Sequence, residues 1–217
     1  MKGSVKSVLH GARQTIGVTV ILMLICGLLF PCLLTGVSAL IFPHQAGGNL
    51  LTIDGQTVGA EYVGQEFTED YYMWSRPSAY HYNVYAEGKD GGRYYNDGTE
   101  FLGIGSGSNN YASTNPALTE RVKADIEEFL EKNPTVKGED IPTDLLTASG
   151  SGLDPHISPA SAEIQIPRIA EASGLKEEEI KDIVLENTQG KVFGIFGEER
   201  VNVLKVNIDI AQRMGIL

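Results

Sequence analysis

The apolar residues follow three different patterns along the chain. From Gln14 to Phe42 there is no Asp, Glu, Lys or Arg, and most positions are Leu, Ile, Val or Gly. The 27 residues from Ile16 to Phe42 would extend roughly 40 Å as a helix, against a hydrocarbon core of about 30 Å. This pattern predicts a transmembrane helix over 14–42. Beyond it the pattern shortens and alternates. Leu51-Thr52-Ile53 and Thr57-Val58 flank Asp54-Gly55, a two-residue turn favoured in β-hairpins. The aromatic stretch Asp70 to Pro77 suits a strand or a packed loop ending at the proline.

Helical spacing dominates later. Asn115 can cap a helix with Pro116 at its first position and Leu118, Val122, Ile126, Phe129 and Leu130 as the apolar stripe. Asn133-Pro134 ends it. Residues 141–147 read as a short extended segment, followed by a loop dense in turn formers. Ser158 caps a second helix, with Pro159 first, that is disturbed at Pro167. Glu177 to Glu179 open a third, where first-turn acids complement the helix dipole. The last block, 197–210, fits a strand by the alternation of 204, 206, 208 and 210. It fits a helix by Val201, Leu204, Ile208 and Ala211, and Gln212 and Arg213 favour the helix. A hairpin first and helices later predict an α+β domain over 43–217.

Charge divides the chain. Residues 1–13 hold Lys2, Lys6 and Arg13 and no acid, which leaves −14 for the remainder of a chain whose net charge is −11. The positive-inside rule predicts a cytoplasmic basic tail at 1–13, a span, and an extracytoplasmic domain. Val37-Ser38-Ala39 resembles a signal-peptide cleavage site, but the apolar run is too long for a signal and contains Pro31. A retained span is therefore expected. Gly17, Gly27, Gly36 and the bend expected at Pro31 are its candidate docking features against other helices, although no strict G-x-x-x-G occurs. An acidic outer domain argues against nucleic acid. Cys26 and Cys32 both lie in the span, so the domain is expected to lack disulfides.

Chemical motifs are sparse. G-x-S-x-G and G-x-x-x-x-G-K-[ST] are absent, as is a Thr-Val-Gly-Tyr-Gly filter. Three histidines beyond residue 43 are too few for an evident zinc site. Ser151, Asp154, His156 and Ser158 invite comparison with a serine hydrolase, but four residues of one tight loop suit bonds to that loop's own backbone better. The tyrosines of 80–111 suit either stacking on sugars or covering the domain's own core. By elimination, a one-span protein with a plain outer domain reads as a partner-binding subunit. The alternative is a membrane-anchored module that binds glycans or small solutes.

One block narrows this. Thr147-Ala148-Ser149-Gly150-Ser151-Gly152-Leu153-Asp154-Pro155-His156-Ile157-Ser158-Pro159, continuing to Gln165, Arg168 and Ala170, resembles the signature of the C subunit of the Kdp potassium-transporting P-type ATPase. Arg76-Pro77-Ser78-Ala79, the Asn110 to Leu118 stretch, and Gly197-Glu198 with Arg200 to Leu204 and Asn207 agree in the same order. The chain departs from the family's common residues at Met73, Ser75, Tyr111 and Glu199. The resemblance implies a non-catalytic subunit at the bacterial plasma membrane, partnered by a channel-like subunit and an ATP-hydrolysing P-type subunit. It implies a catalytic chaperone that assists assembly and raises ATP affinity, with potassium the ion carried by the complex and no firmly bound cofactor. It also implies a partner- or nucleotide-related role for the 149–159 block, Gln165 and Arg168. Positive-inside topology puts Gln165 across the membrane from cytoplasmic ATP, so indirect coupling is the expectation.

Overall fold

A computed structural model describes the backbone of residues 2–217 and the side chains of residues 7 and 9–217. The chain divides into two compact units, Met1–Leu50 and Leu51–Leu217. The first is helical. α1 (Lys2–Leu24) passes through a π turn (Ile25–Leu29) into α2 (Phe30–Ile41), and a short α3 (Pro43–Ala46) follows. The basic tail is thus continuous with the helix that follows it. The apolar part, Leu9–Ile41, is long enough to cross a membrane, and none of it is buried within the chain. The disturbance expected at Pro31 takes the form of the π turn. Pro31 offers no N–H and crowds the carbonyl one turn back. Just ahead of it, the Phe30 N–H reaches Ile25 O, five residues back. Two hydroxyls bond within the helix, Thr15 to Gly11 O and Ser38 to Thr35 O.

The second unit is α+β. β1 (Leu50–Ile53) and β2 (Gln56–Ala60) form the expected hairpin. Asp54 and Gly55 both take positive φ, 49° and 82°, as the favoured mirror-image turn requires. β3 (Ala86–Glu87) and β4 (Arg93–Tyr94) form a small ribbon in the tyrosine-rich segment. α4 (Pro116–Lys132) starts at Asn115, whose side chain accepts from the Ala117 N–H. The segment at 141–147, expected to be extended, instead makes a 3-10 turn at Thr143–Leu145. That turn buries Leu145 and brings the Asp144 carboxylate to Ser158.

β5 (His156–Ile157) leads into α5 (Pro159–Glu163) and α6 (Ile166–Ser173). The one helix expected here is two, broken at Ile164 and Gln165. Pro167 lies in the first turn of α6, where no N–H is needed, so it starts a helix and disturbs none. α7 (Glu177–Glu186), β6 (Thr188–Gln189), β7 (Arg200–Asn202) and α8 (Val203–Met214) complete the chain. The sheet order is β5-β7-β6, antiparallel throughout. The final block is strand and helix in succession. Val201 belongs to β7, and α8 buries Val203, Leu204, Val206, Asn207, Ile210 and Ala211.

The core gathers Met73, Phe129, Ile169, Ile183, Val206 and Ile210 with their neighbours. Met73 lies on the aromatic stretch 70–77, which is a packed loop outside any sheet. Met73→Ala should destabilise the chain by about 2–5 kcal/mol through the cavity it opens. Trp74, the only tryptophan, supplies the fluorescence for a denaturant titration, and an unchanged midpoint would contradict this packing.

Candidate functional site

The residues singled out by sequence meet around two irregular stretches, 70–77 and 147–158. Neither belongs to a long strand, so their backbone groups need other partners. At Met73 the N–H donates to Asn207 Oδ1 at 2.7 Å and the carbonyl accepts from Asn207 Nδ2 at 2.9 Å. At Trp74 the N–H donates to Gln165 Oε1 at 2.8 Å and the carbonyl accepts from Gln165 Nε2 at 3.3 Å. Two side-chain amides, from α8 and from the α5–α6 break, thus clamp two successive residues as neighbouring strands would.

Gln165 is 0 % exposed. Besides Trp74, its Oε1 accepts from Arg168 Nη2 at 2.8 Å and its Nε2 donates to Ser161 O at 3.1 Å. All four hydrogen-bonding positions of the amide are filled. Arg168 uses four of its five donors. Its Nε donates to Asn133 Oδ1, and its Nη1 donates to the Asp70 and Tyr72 carbonyls. The guanidinium lies 4.5 Å from the Trp74 ring centroid, a cation–π arrangement. Burial lowers the Arg168 pKa to about 10 and the Asp70 charge partly opposes the shift, so the group stays charged at neutral pH.

The signature loop is a hub. Five consecutive carbonyls accept from five separate places: Ser151 O from Gly107 N–H, Gly152 O from Ser78 Oγ, Leu153 O from Gly64 N–H, Asp154 O from Tyr82 Oη, and Pro155 O from Val203 N–H. Gly152 has φ 66°, and a Cβ there would stand 2.6 Å from Gly107 O, so glycine is required both for the turn and for the approach. The loop's polar side chains serve its backbone. Ser149 Oγ accepts from Gly152 N–H, Ser151 Oγ from Leu153 N–H, Asp154 Oδ1 from His156 N–H, and Ser158 Oγ from Ser161 N–H. Among the described residues no hydrogen bond joins the His156 ring to a serine, and its Nε2 is buried without a partner. The nucleophile–base pairing of a hydrolase is not assembled.

Arg76 ties the two stretches together, pairing with Asp154 at 2.9 Å and donating to Thr147 O. Burial alone would raise the Asp154 carboxyl. The His156 ring 3.6 Å away, the His156 backbone N–H and the Arg76 guanidinium outweigh it and hold the group below the usual 3.8.

A cleft of about 640 Å³ opens beside this framework, with Trp74, Tyr82, Tyr111, Arg121 and Phe129 on its walls. Its cations are matched: Arg121 pairs with Asp125 and donates to Leu146 O, and Lys132 pairs with Asp70 at 3.1 Å. Burial raises the Asp125 carboxyl, Arg121 lowers it and Glu128 adds to the rise. A phosphate chain entering here would meet Asp125 and Glu128 beside cations already paired.

The tyrosines pack largely on their own segment. Tyr82 is buried, Tyr85 stacks on Phe101 at 4.4 Å, and Tyr95 lies against His81 and Phe101. His81, Tyr82 and Asn83 form three successive left-handed residues. The turn is held by Ser78 Oγ, by the Asn83–Gly105 pair and by Glu66 on His81. Of the framework's further members, Asn133 and Asp144 carried no signal in the sequence, and Asn202, which donates to Glu61 O at 2.7 Å, and Asn207 entered only as part of the terminal block. The available signal was a polar residue on an apolar helical stripe, as Asn207 is among Leu204, Ile210 and Ala211. The span features Gly17, Gly27, Pro31 and Gly36 lie in the first unit, and a Cβ on any of the three glycines would meet nothing within 4 Å.

Residues 12–212 match the family model described as "K+-transporting ATPase, c chain". The potassium-transporting ATPase KdpC subunit of Clostridium kluyveri is 53% identical over 207 residues, covering 95% of each chain. That of Clostridioides difficile is 51% identical, over 92% of this chain and 96% of the relative. That of Rhodopseudomonas palustris is 40% identical, over 90% and 94%. The chain belongs to the family of potassium-transporting ATPase C subunits, with potassium the ion its complex carries.

Two outcomes follow from the geometry. Gln165→Leu strands the Trp74 amide and Arg168, and should lower stability by about 3–5 kcal/mol. A residue whose role was to touch nucleotide would leave the unfolding midpoint in place. Asp154 has a depressed folded pKa, so its contribution to stability is complete above the unfolded value near 3.8 and is lost as pH falls through the folded value. Asp154→Asn should therefore flatten the fall in Tm below about pH 4, and an unchanged acid limb would refute the assignment.

Proposed function

We propose that this chain is a non-catalytic accessory subunit of a high-affinity, ATP-driven potassium uptake complex. It acts as a catalytic chaperone, assisting assembly and raising the ATP affinity of the P-type subunit through indirect coupling. The observation that carries this reading is the engagement of Gln165, of Arg168 and of the serines and Asp154 of the 149–158 loop in holding the chain's own backbone. A side chain with every hydrogen-bonding position filled and no exposed surface has nothing left for a nucleotide. The signature acts by making the domain rigid, and a rigid domain can fix the arrangement of the subunits it touches.

The partners are a channel-like potassium subunit and the ATP-hydrolysing P-type subunit. The N-terminus is cytoplasmic, 14–42 spans the bacterial plasma membrane and 43–217 lies outside, near the potassium entrance. The basic 1–13 stretch and the −14 carried by the rest support this orientation through the positive-inside rule. The span's Gly17, Gly27 and Gly36 have open space where a Cβ would stand. The π turn before Pro31 makes a shape that a neighbouring helix can read.

Replacing 14–42 with an unrelated polyleucine helix tests docking against simple tethering. In cells that depend on this system, the replacement should slow growth at micromolar potassium and lower the recovery of the other subunits. Normal growth of the swapped strain would leave only a tether. Normal growth of a strain lacking the chain would end the proposal.

A further inference from the structure

The connection between β6 and β7 ends in a knuckle that the framework described above does not use. Lys191-Val192-Phe193-Gly194-Ile195-Phe196-Gly197-Glu198 has no polar side chain between its first and last residues. Phe193 is 89 % exposed, Ile195 74 % and Phe196 66 %. Side chains of this kind usually lie inside, and a contiguous exposed set marks an interaction site. The backbone is nonetheless well closed. Val192 N–H donates to Phe196 O at 2.8 Å, Gly194 N–H to Lys191 O at 3.0 Å, Ile195 N–H to Val192 O at 3.2 Å and Phe196 N–H to Val192 O at 3.0 Å. Phe193 itself takes φ 53°, a conformation costly for an aromatic residue. The tip is thus a closed turn with four of its N–H groups bonded internally, and its apolar side chains are exposed. Such a tip can enter a dry site with most of its N–H groups already bonded.

Charge selects between two kinds of dry site. At the base of the knuckle Lys191 is 3.9 Å from Glu198, and Glu198 and Glu199 are both exposed. The remainder of the chain beyond residue 13 carries −14. At the base itself Lys191 and Arg200 balance Glu198 and Glu199, so nothing there attracts anionic headgroups, and the −14 of the remainder is repelled by them and complements a protein socket with a basic rim. The chain belongs to a family of ATPase subunits, and lasting subunit interfaces have apolar centres with polar rims.

We propose that residues 191–198 form a plug that seats Phe193, Ile195 and Phe196 in an apolar, basic-rimmed socket on another subunit of the same ATPase. This rests on the reading that the chain is a docked subunit, and it assigns part of the docking to a named loop outside the span.

The test co-expresses the complete complex with two versions of this chain carrying different tags, and measures their shares in complex purified through another subunit. Phe193→Asp combined with Phe196→Asp should fall to about a tenth or less of the wild-type share, since buried aromatic anchors commonly carry tenfold effects or more. Leu185→Asp, at a 73 % exposed position of α7, should keep an equal share. Equal shares for the double variant would overturn the proposal. A second measurement does not depend on the folding of that variant. In a Phe193→Trp, Trp74→Phe chain, the emission should shift to the blue only within the complex. Quenching by brominated zwitterionic lipid in vesicles holding this chain alone would assign the knuckle to the bilayer and overturn the proposal. Failure of the wild-type chain to purify with any other subunit is a different result, and removes the docked-subunit reading itself.

Discussion

Irregular backbone cannot be buried unless something bonds its amides, and this requirement shapes the second unit of the chain. Only short strands are present, the longest being the five residues of β2. The stretch 70–77 nevertheless passes through the core at Met73, which is fully buried. Gln165 and Asn207 meet the requirement by offering paired donors and acceptors to Trp74 and Met73. Arg168 then binds Gln165 and extends the network to Asn133 and to the carbonyls of Asp70 and Tyr72. Removing one member exposes the others to the full cost of burial, so the network stands or falls as a unit.

The 147–158 loop follows the same logic from the opposite side. Its carbonyls face outward from a tight turn and accept from segments otherwise remote from one another, including 64, 78, 82, 107 and 203. The serines and Asp154 keep that turn closed. In this motif the serines bond backbone N–H groups, and the His156 ring is not paired with any of them. The motif is a joint that makes several loops one body.

Much of this was legible in the residues. The apolar stretch, the Asp54-Gly55 turn, the Asn115 and Ser158 caps and the acidic start of α7 are local signals, with the cause and the effect within a few residues. Each stands as expected. The misreadings lie where local and distant forces compete. Residues 141–147 turn because Asp144 has a partner at Ser158. Pro167 begins a helix because Gln165 leaves the preceding one to bond Trp74, 91 positions away. The terminal block had two acceptable periodicities, and β5 decided where strand yields to helix by pairing with β7.

By itself the sequence determined the α+β class of the second unit, the apolar helix and the order of the family's motifs. These depend on spacing, composition and charge, which are properties of the chain before it folds. Only the tertiary structure decided what the signature residues do. Gln165, Arg168 and Asn207 are polar residues on otherwise apolar stripes, and their partners come from segments far away in the sequence. Whether such a residue meets a ligand or a backbone group is settled by the fold that brings the partner within about 3 Å. Here the partner is the chain's own backbone.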